Sequence, residues 1–236
     1  MKLYYDLHIH TALSPCADND MTPNNIVNMA RLKGLDIIAI TDHNSCRNVA
    51  TCMKCAENSG LTVVPGMEIE TCEEVHMLAF FDNTEALGEL EKTVQKSLPD
   101  IKNRRDIFGD QFVMDCDDNI VGEIENLLVT ATSLSVDSVT DIVRSLGGVI
   151  VPAHIDKDAY SILSNLGFIP DNGYTAFEIK NPQKKDEIVR NNNLKNSVII
   201  HDSDAHFLWD IHEREFSMDL RKNSIADLLK ELDKQR

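Results

Sequence analysis

Six of the chain's eight histidines stand at or just beyond short apolar runs in the company of an acid, and this placement constrains the fold most. The first instance is Asp6-Leu7-His8-Ile9-His10-Thr11. In a strand, residues i and i+2 project on one face, so His8 and His10 can close on a single metal ion. Thr41-Asp42-His43, Glu68, His76, His154 and Asp204-Ala205-His206 repeat the arrangement along the chain. A lone histidine in an apolar stretch is ordinarily a core residue with hydrogen-bonded ring nitrogens. Recurrence weakens that reading, because burying six imidazoles and several carboxylates near one rim is costly without a cation. Mixed imidazole and carboxylate ligands suit zinc, manganese or iron better than calcium or magnesium. The pattern reads as a multinuclear metallohydrolase.

Apolar strands alternate with amphipathic helices. Strands are predicted at 3–10, 35–41, 61–70, 74–81, 149–153, 175–179 and 197–200. Thr22 and Pro23 open a helix that runs to about Lys33 and stops at Gly34. Further helices are predicted over 46–58, over 84–107 with a break at Pro99, from Ser135 to Gly147, as a short helix capped by Asp158, over 184–190, and over 224–234. Residues 109–133 have no clean period, with a partly helical stretch at 121–128. Such alternation predicts a parallel sheet with helices outside. A doubly wound sheet or a closed barrel would satisfy it. Ligands at the ends of nearly every strand favour the barrel, which gathers all strand C-termini on one rim.

At 236 residues the chain fits one domain, 1–236, with an insertion over the barrel mouth at about 85–134. The 23 basic against 39 acidic residues leave a net charge of −16, which argues against strong nucleic-acid or membrane-surface binding. No apolar run approaches the roughly 20 residues of a membrane helix. The metal motif begins so early that it leaves no room for a cleavable leader, and the expectation is a soluble, cytoplasmic protein. Its six cysteines are then reduced thiols. Cys52-Met53-Lys54-Cys55 has CxxC spacing, but it lies in a predicted helix without a second CxxC or a thioredoxin-like context, so it reads as structural.

In combination, DLHIHT at 6–11, TDH at 41–43, GMEIE around Glu68, EVH ending at His76, PAHID around His154 and SDAH at 203–206 resemble the PHP (polymerase and histidinol phosphatase) family of metal-dependent phosphoesterases. The motifs occur in family order over almost the whole chain. The resemblance implies a distorted seven-stranded (β/α) barrel with a cluster of two or three divalent zinc, manganese or iron ions at the C-terminal rim of the strands. It implies that His8, His10, Glu68 and Asp204 hold one ion. Glu68 would bridge to a second ion held with His76 and His154, and His43 and His206 would take a third. A departure follows Ser14: where many members carry a histidine, or an aspartate nearby, this chain has Cys16 and then Asp18. Either could complete the third site.

The implied reaction is hydrolysis of a small phosphomonoester by a metal-bridging hydroxide, with Glu68, Asp204 and His206 as the catalytic groups. Asp204, His206 or a water on the third ion would protonate the leaving group. The partner is a small phosphorylated substrate. Histidinol-phosphate phosphatase, nucleotide-end exonuclease or phosphodiesterase, amidohydrolase and inactive regulatory module are the competing readings. Arg104 and Arg105 could clamp a phosphate, although ordinary surface arginines are the simpler reading.

Overall fold

The computed structural model describes residues 1–234, so the last two residues of the expected 1–236 domain lie outside the described residues. In chain order the elements are β1 (Lys2–Ile9), α1 (Pro23–Leu32), β2 (Ile37–Ile40), α2 (Val49–Cys55), β3 (Thr62–Glu70), β4 (His76–Phe80), α3 (Thr84–Ser97), α4 (Arg105–Phe108), β5 (Phe112–Met114) and β6 (Ile120–Glu123). They continue with α5 (Val136–Ser145), β7 (Val149–Pro152), α6 (Ile162–Leu166), β8 (Ala176–Glu178), α7 (Lys185–Asn191), β9 (Val198–Ile200), β10 (Ser217–Asp219) and α8 (Ile225–Leu232).

Local chemistry places most helix starts. Thr22 accepts from the Asn25 amide ahead of Pro23, Asn83 accepts from Ala86, and Ser135 accepts from Ser138. Pro99 forces the residue before it out of helical backbone. Leu98 accordingly turns extended and ends α3. Two helical expectations fail. The stretch at 121–128 is not helical: it opens in the second strand of a hairpin, Ile120–Glu123, where β-branched Ile120 and Val121 follow a turn built on Asp115, and then runs on as irregular chain. The short helix is capped not by Asp158 but by Ser161, three residues later, because Ser161 and Ser164 form a reciprocal capping box.

A curled six-stranded sheet in the order β10-β1-β2-β3-β4-β7 makes a half-barrel, with β8 and β9 pairing separately. The parallel-sheet expectation needs correction. β1, β2 and β3 are parallel, but β4 runs antiparallel to both β3 and β7, and β10 runs antiparallel to β1. Only a short connection separates β3 from β4, which suits a hairpin and is too short for a crossover helix. The β8–β9 pair is tied in at its ends: Ile155 N donates to Glu178 O at 2.9 Å, and His10 N donates to Ala205 O at 3.0 Å.

The two sheet faces bury separate apolar clusters. Leu7, Val64, Leu78, Val151, Ala176 and Ile200 line one face with Leu228 and Leu229 of α8. The other face carries Ile9, Ile38, Met67 and Ile69 against α1, α2, α3 and α5. The pairing of β1 with β2 slips between Asp6 and Ile9, so β1 advances three residues while β2 advances two. This bulge shifts the side-chain alternation. Leu7 stays in the first cluster, Ile9 joins the second, and His8 and His10 fall on the Leu7 side, away from α1, α2, α3 and α5. Among the described residues no helix is long and apolar enough to cross a membrane.

Candidate metal centre

Glu68, fully buried near the end of β3, is the hub of the cluster. Its Oε1 lies 2.9 Å from His76 Nδ1, 3.2 Å from His8 Nε2 and 3.3 Å from His154 Nε2. Its Oε2 lies 3.0 Å from His43 Nδ1 and 3.5 Å from His10 Nε2. Asp204 Oδ1 faces the same centre, 3.4 Å from both His8 Nε2 and His10 Nε2. Gly66 lets the strands close around this hub, since a Cβ there would stand 2.9 Å from the Thr41 methyl and 3.0 Å from Ile40 O. His154 and Asp204 hold left-handed backbone, at φ 27° and 50°. Strain in non-glycine residues of this kind collects at functional sites.

The outer nitrogens of the β1 histidines are anchored from behind. His8 Nδ1 lies 3.0 Å from Glu178 Oε1, and Glu178 Oε2 also accepts the His154 amide at 2.6 Å. His10 Nδ1 lies 3.0 Å from Ser14 Oγ, whose hydroxyl donates to Asp42 Oδ1 at 2.7 Å. With its proton committed to Asp42, the hydroxyl can only accept from His10. Both rings therefore hold hydrogen on Nδ1 and turn Nε2 inward, the two Nε2 atoms only 3.2 Å apart. Two nitrogens this close need a cation between them, either a proton held on His8 or a metal ion that displaces it.

Other atoms agree with that donor set. His43 Nδ1 and Glu68 Oε2 are buried and 3.0 Å apart, yet neither has a hydrogen-bond partner, and His154 Nδ1 is likewise unpartnered. Orphaned buried polar atoms are rare enough to need an explanation. Three ligand-like groupings emerge: His8 with His10 and Asp204, His43 with Glu68 and His76, and His10 with His43 and His206. The residues fit divalent transition-metal ions in both chemistry and convergence.

The charges are steeply polarised. Burial works to raise the Glu68 carboxyl, but His76, His8 and His43 hold it well below the usual carboxylate range. Burial opposes charge on His8, and Glu178, Glu68 and Asp204 overcome it, keeping that ring well above the ordinary imidazole value. His10 is pushed well below it by burial and by the neighbouring His206 and His43. Burial brings His76 down to about 4 even against the pull of Glu68.

The two third-site candidates part company here. Cys16 is exposed at the rim, where His43 and His206 act on its thiol. Enclosure of the sulfur favours the thiol, but the two imidazoles outweigh it and lower the group to about 6. Asp18 is exposed and spends Oδ1 on the Asp20 amide, 2.8 Å away. Arg104 and Arg105 are exposed and paired with Asp106 and Glu123. Sequence reasoning missed Glu178, although a glutamate inside the apolar run Ala176–Glu178 was a usable signal. It also missed Lys157, whose Nζ lies 2.9 Å from Asp204 Oδ2.

A family model described as PHP domain matches residues 6–162. An uncharacterized protein of Methanocaldococcus jannaschii, MJ1587, is 36% identical over 101 residues, covering 39% of this chain and 58% of that protein. The 5'-3' exoribonuclease Rnm of Escherichia coli is 38% identical over 74 residues, covering 30% of this chain and 24% of the enzyme. The crystal structure of the lesion-specific endonuclease PfuEndoQ from Pyrococcus furiosus superimposes with a TM-score of 0.71 at 17% identity, over 99% of this chain and 56% of that one. At that identity the likeness is one of fold. The matched segments thus take in from a quarter to somewhat over half of these relatives' lengths.

Proposed function

The chain belongs to the PHP domain family of metal-dependent hydrolases, and on that premise we propose that it hydrolyses a small phosphomonoester. The observation that carries this reading is the convergence of five imidazoles on the two oxygens of Glu68. His8, His10, Glu68 and Asp204 would hold one ion, Glu68 with His76 and His154 a second, and His43, His206 and the Cys16 thiol a third. Zinc, manganese or iron ions bound there supply a water nucleophile at neutral pH and neutralise phosphoryl charge.

The chain's own groups divide the remaining work. Glu68 offers one oxygen to each side of the cluster. Glu178 and Ser14 fix the rings that line it. Asp204 and His206, whose Nδ1 lies 3.7 Å from Asp204 Oδ1, stand where a leaving-group oxygen can take a proton. Lys157 brings a cation to the rim beside Asp204. Next to it lies an open hollow of about 540 Å³ whose lining includes Lys157, Lys180 and Lys184 together with Asp156 and Asp158. Its three lysines outnumber its two aspartates, which leaves room for a compact anion, and the overall charge of −16 disfavours a long polyanion.

A nuclease reading is supported by one feature of the opposite rim. Phe207 and Trp209, just past His206, are 45% and 77% exposed, and exposed aromatic rings serve as stacking surfaces for bases. Purified protein tested on phosphomonoesters, phosphodiesters, single-stranded RNA oligonucleotides and amides decides between them. Chelator-sensitive release of inorganic phosphate from a small monoester is the expected result. Diester or amide turnover far above monoester turnover would overturn it.

A further inference from the structure

The CxxC spacing of Cys52 and Cys55 finds no use in the metal centre, and the structure gives Cys55 a different partner. Cys55 ends α2, and the sulfur of Cys116, 61 positions later, lies against the same last turn of that helix. Cys116 occupies the turn between β5 and β6. Its Sγ also lies 3.9 Å from the Thr51 carbonyl oxygen, one turn back along α2. Cys52, by contrast, is sealed in the core with no exposed surface.

The turn holds Cys116 in place. Asp115 Oδ1 accepts the Asp117 and Asn119 amides, both at 2.9 Å. Asn24 of α1 reaches across to it, donating its side-chain amide to Cys116 O and its backbone amide to Asp118 Oδ1 at 3.2 Å. Thr51 Oγ1 donates to Met114 O at 3.0 Å. Both thiols are half-buried and within reach of a small reagent.

We propose that Cys55 and Cys116 form a disulfide by exchange with a low-molecular-weight disulfide, fastening the β5–β6 hairpin to α2. The exchange needs a thiolate. Burial and the neighbouring Cys116 push the Cys55 thiol up to about 12. The thiolate of one cysteine attacks glutathione disulfide, one sulfur–sulfur bond breaks, and one glutathione leaves. The other cysteine loses its proton to water, attacks the first protein sulfur and expels the second glutathione. Two protein thiols are oxidised and one glutathione disulfide is reduced to two thiols.

The bridge would stiffen a wall of the metal centre. Asn48, which caps α2, donates to Thr11 Oγ1 at 2.9 Å and to Phe112 O at 3.0 Å, and its Oδ1 accepts the Met114 amide at 2.9 Å. Phe112 N donates to Ala12 O at 2.9 Å. Helix, hairpin and the loop leading to Cys16 are thus one hydrogen-bonded unit, to which the bridge adds a covalent tie.

The test is incubation of the metal-containing protein with glutathione disulfide, followed by non-reducing intact mass, peptide mapping and melting. The expected product has lost two hydrogens and yields a Cys55–Cys116 peptide. Its melting temperature rises by several degrees, because a long loop is closed in the unfolded chain, and dithiothreitol reverses the rise. Cys55→Ser and Cys116→Ser each abolish the crosslinked peptide and the rise, whereas Cys52→Ser retains the peptide. A glutathione adduct persisting on Cys116, a Cys52–Cys55 bridge, or unchanged thiols at both positions would each overturn the proposal.

Discussion

His8 Nδ1 lies 3.0 Å from Oε1 of Glu178, and this contact settles which ring nitrogen faces Glu68. A histidine in contact with a carboxylate through one nitrogen presents the other as a lone pair in fixed orientation. The carboxylate comes from β8, far along the chain from the β1 motif, and it is fully buried. Glu178→Gln tests the arrangement. The amide can accept only through its carbonyl oxygen, so either His8 Nδ1 or the His154 amide loses an acceptor. Metal affinity should fall about 10- to 100-fold, with a stability loss of about 1–3 kcal/mol in the metal-free protein. Competition with a chromophoric chelator and thermal melting measure the two effects. An unchanged affinity would remove Glu178 from the site.

Protein purified without chelator should carry at least two transition-metal ions per chain, and removing them should lower the melting temperature by mass action. Glu68→Gln should weaken all ions that share the carboxylate and reduce turnover by more than about 10²-fold. His43→Ala should instead cost mainly one ion. Elemental analysis alongside turnover separates the two variants. Full metal content and rate in Glu68→Gln would mean that this carboxylate is a structural acid only.

Lys157 is 41% exposed and ion-paired with Asp204, so truncating it should leave the fold intact. Lys157→Met is expected to raise KM for a phosphomonoester by about tenfold or more, the scale of one charge-assisted hydrogen bond. The melting temperature should stay close to that of the parent. Arg104→Ala is the surface control and should alter neither. Steady-state kinetics on the three proteins decide the point, and an unchanged KM for Lys157→Met would place the phosphate elsewhere.

His201 and His212 stand on either side of Phe216, with ring centroids 5.1 and 4.9 Å away. Burial lowers both below the ordinary imidazole value of 6.5. A depressed folded value means that the unfolded chain binds protons more readily. The stability these rings contribute is therefore present above 6.5 and is lost as pH falls through their lower folded values. In chelator-treated protein, His212→Gln should shrink the drop in melting temperature between about pH 7.5 and about pH 5.5. A drop of unchanged size would show that His212 does not titrate on unfolding.

Much of the framework was legible in the chain because strand and helix periods are local properties. The caps at Thr22 and Ser135, the break at Pro99 and the apolar run before Thr41 each act within a few residues. The hairpin at 112–123 was not legible, since its strands are short and half-exposed and pair with little apolar pattern. The reversed direction of β4 was missed for a related reason. A strand's own residues carry little record of its neighbour's direction, and the short link from β3 was the available clue.

By itself the sequence determined the inventory of the site: which imidazoles and carboxylates stand at strand ends, and that they are too many to bury without a counter-charge. Ligand type is a property of each residue, so it survives any arrangement of the fold. Tertiary structure alone decided how they meet. The β1 bulge, defined only by register against β2, sets His8 and His10 on the side of Leu7. Glu178 reaches His8 from a distant strand, and the loop after Ser14 turns the Cys16 thiol toward His43 and His206 while the Asp18 carboxylate closes its own turn. Each of these depends on the distance between segments remote in sequence, which packing of the whole chain determines and no local pattern encodes.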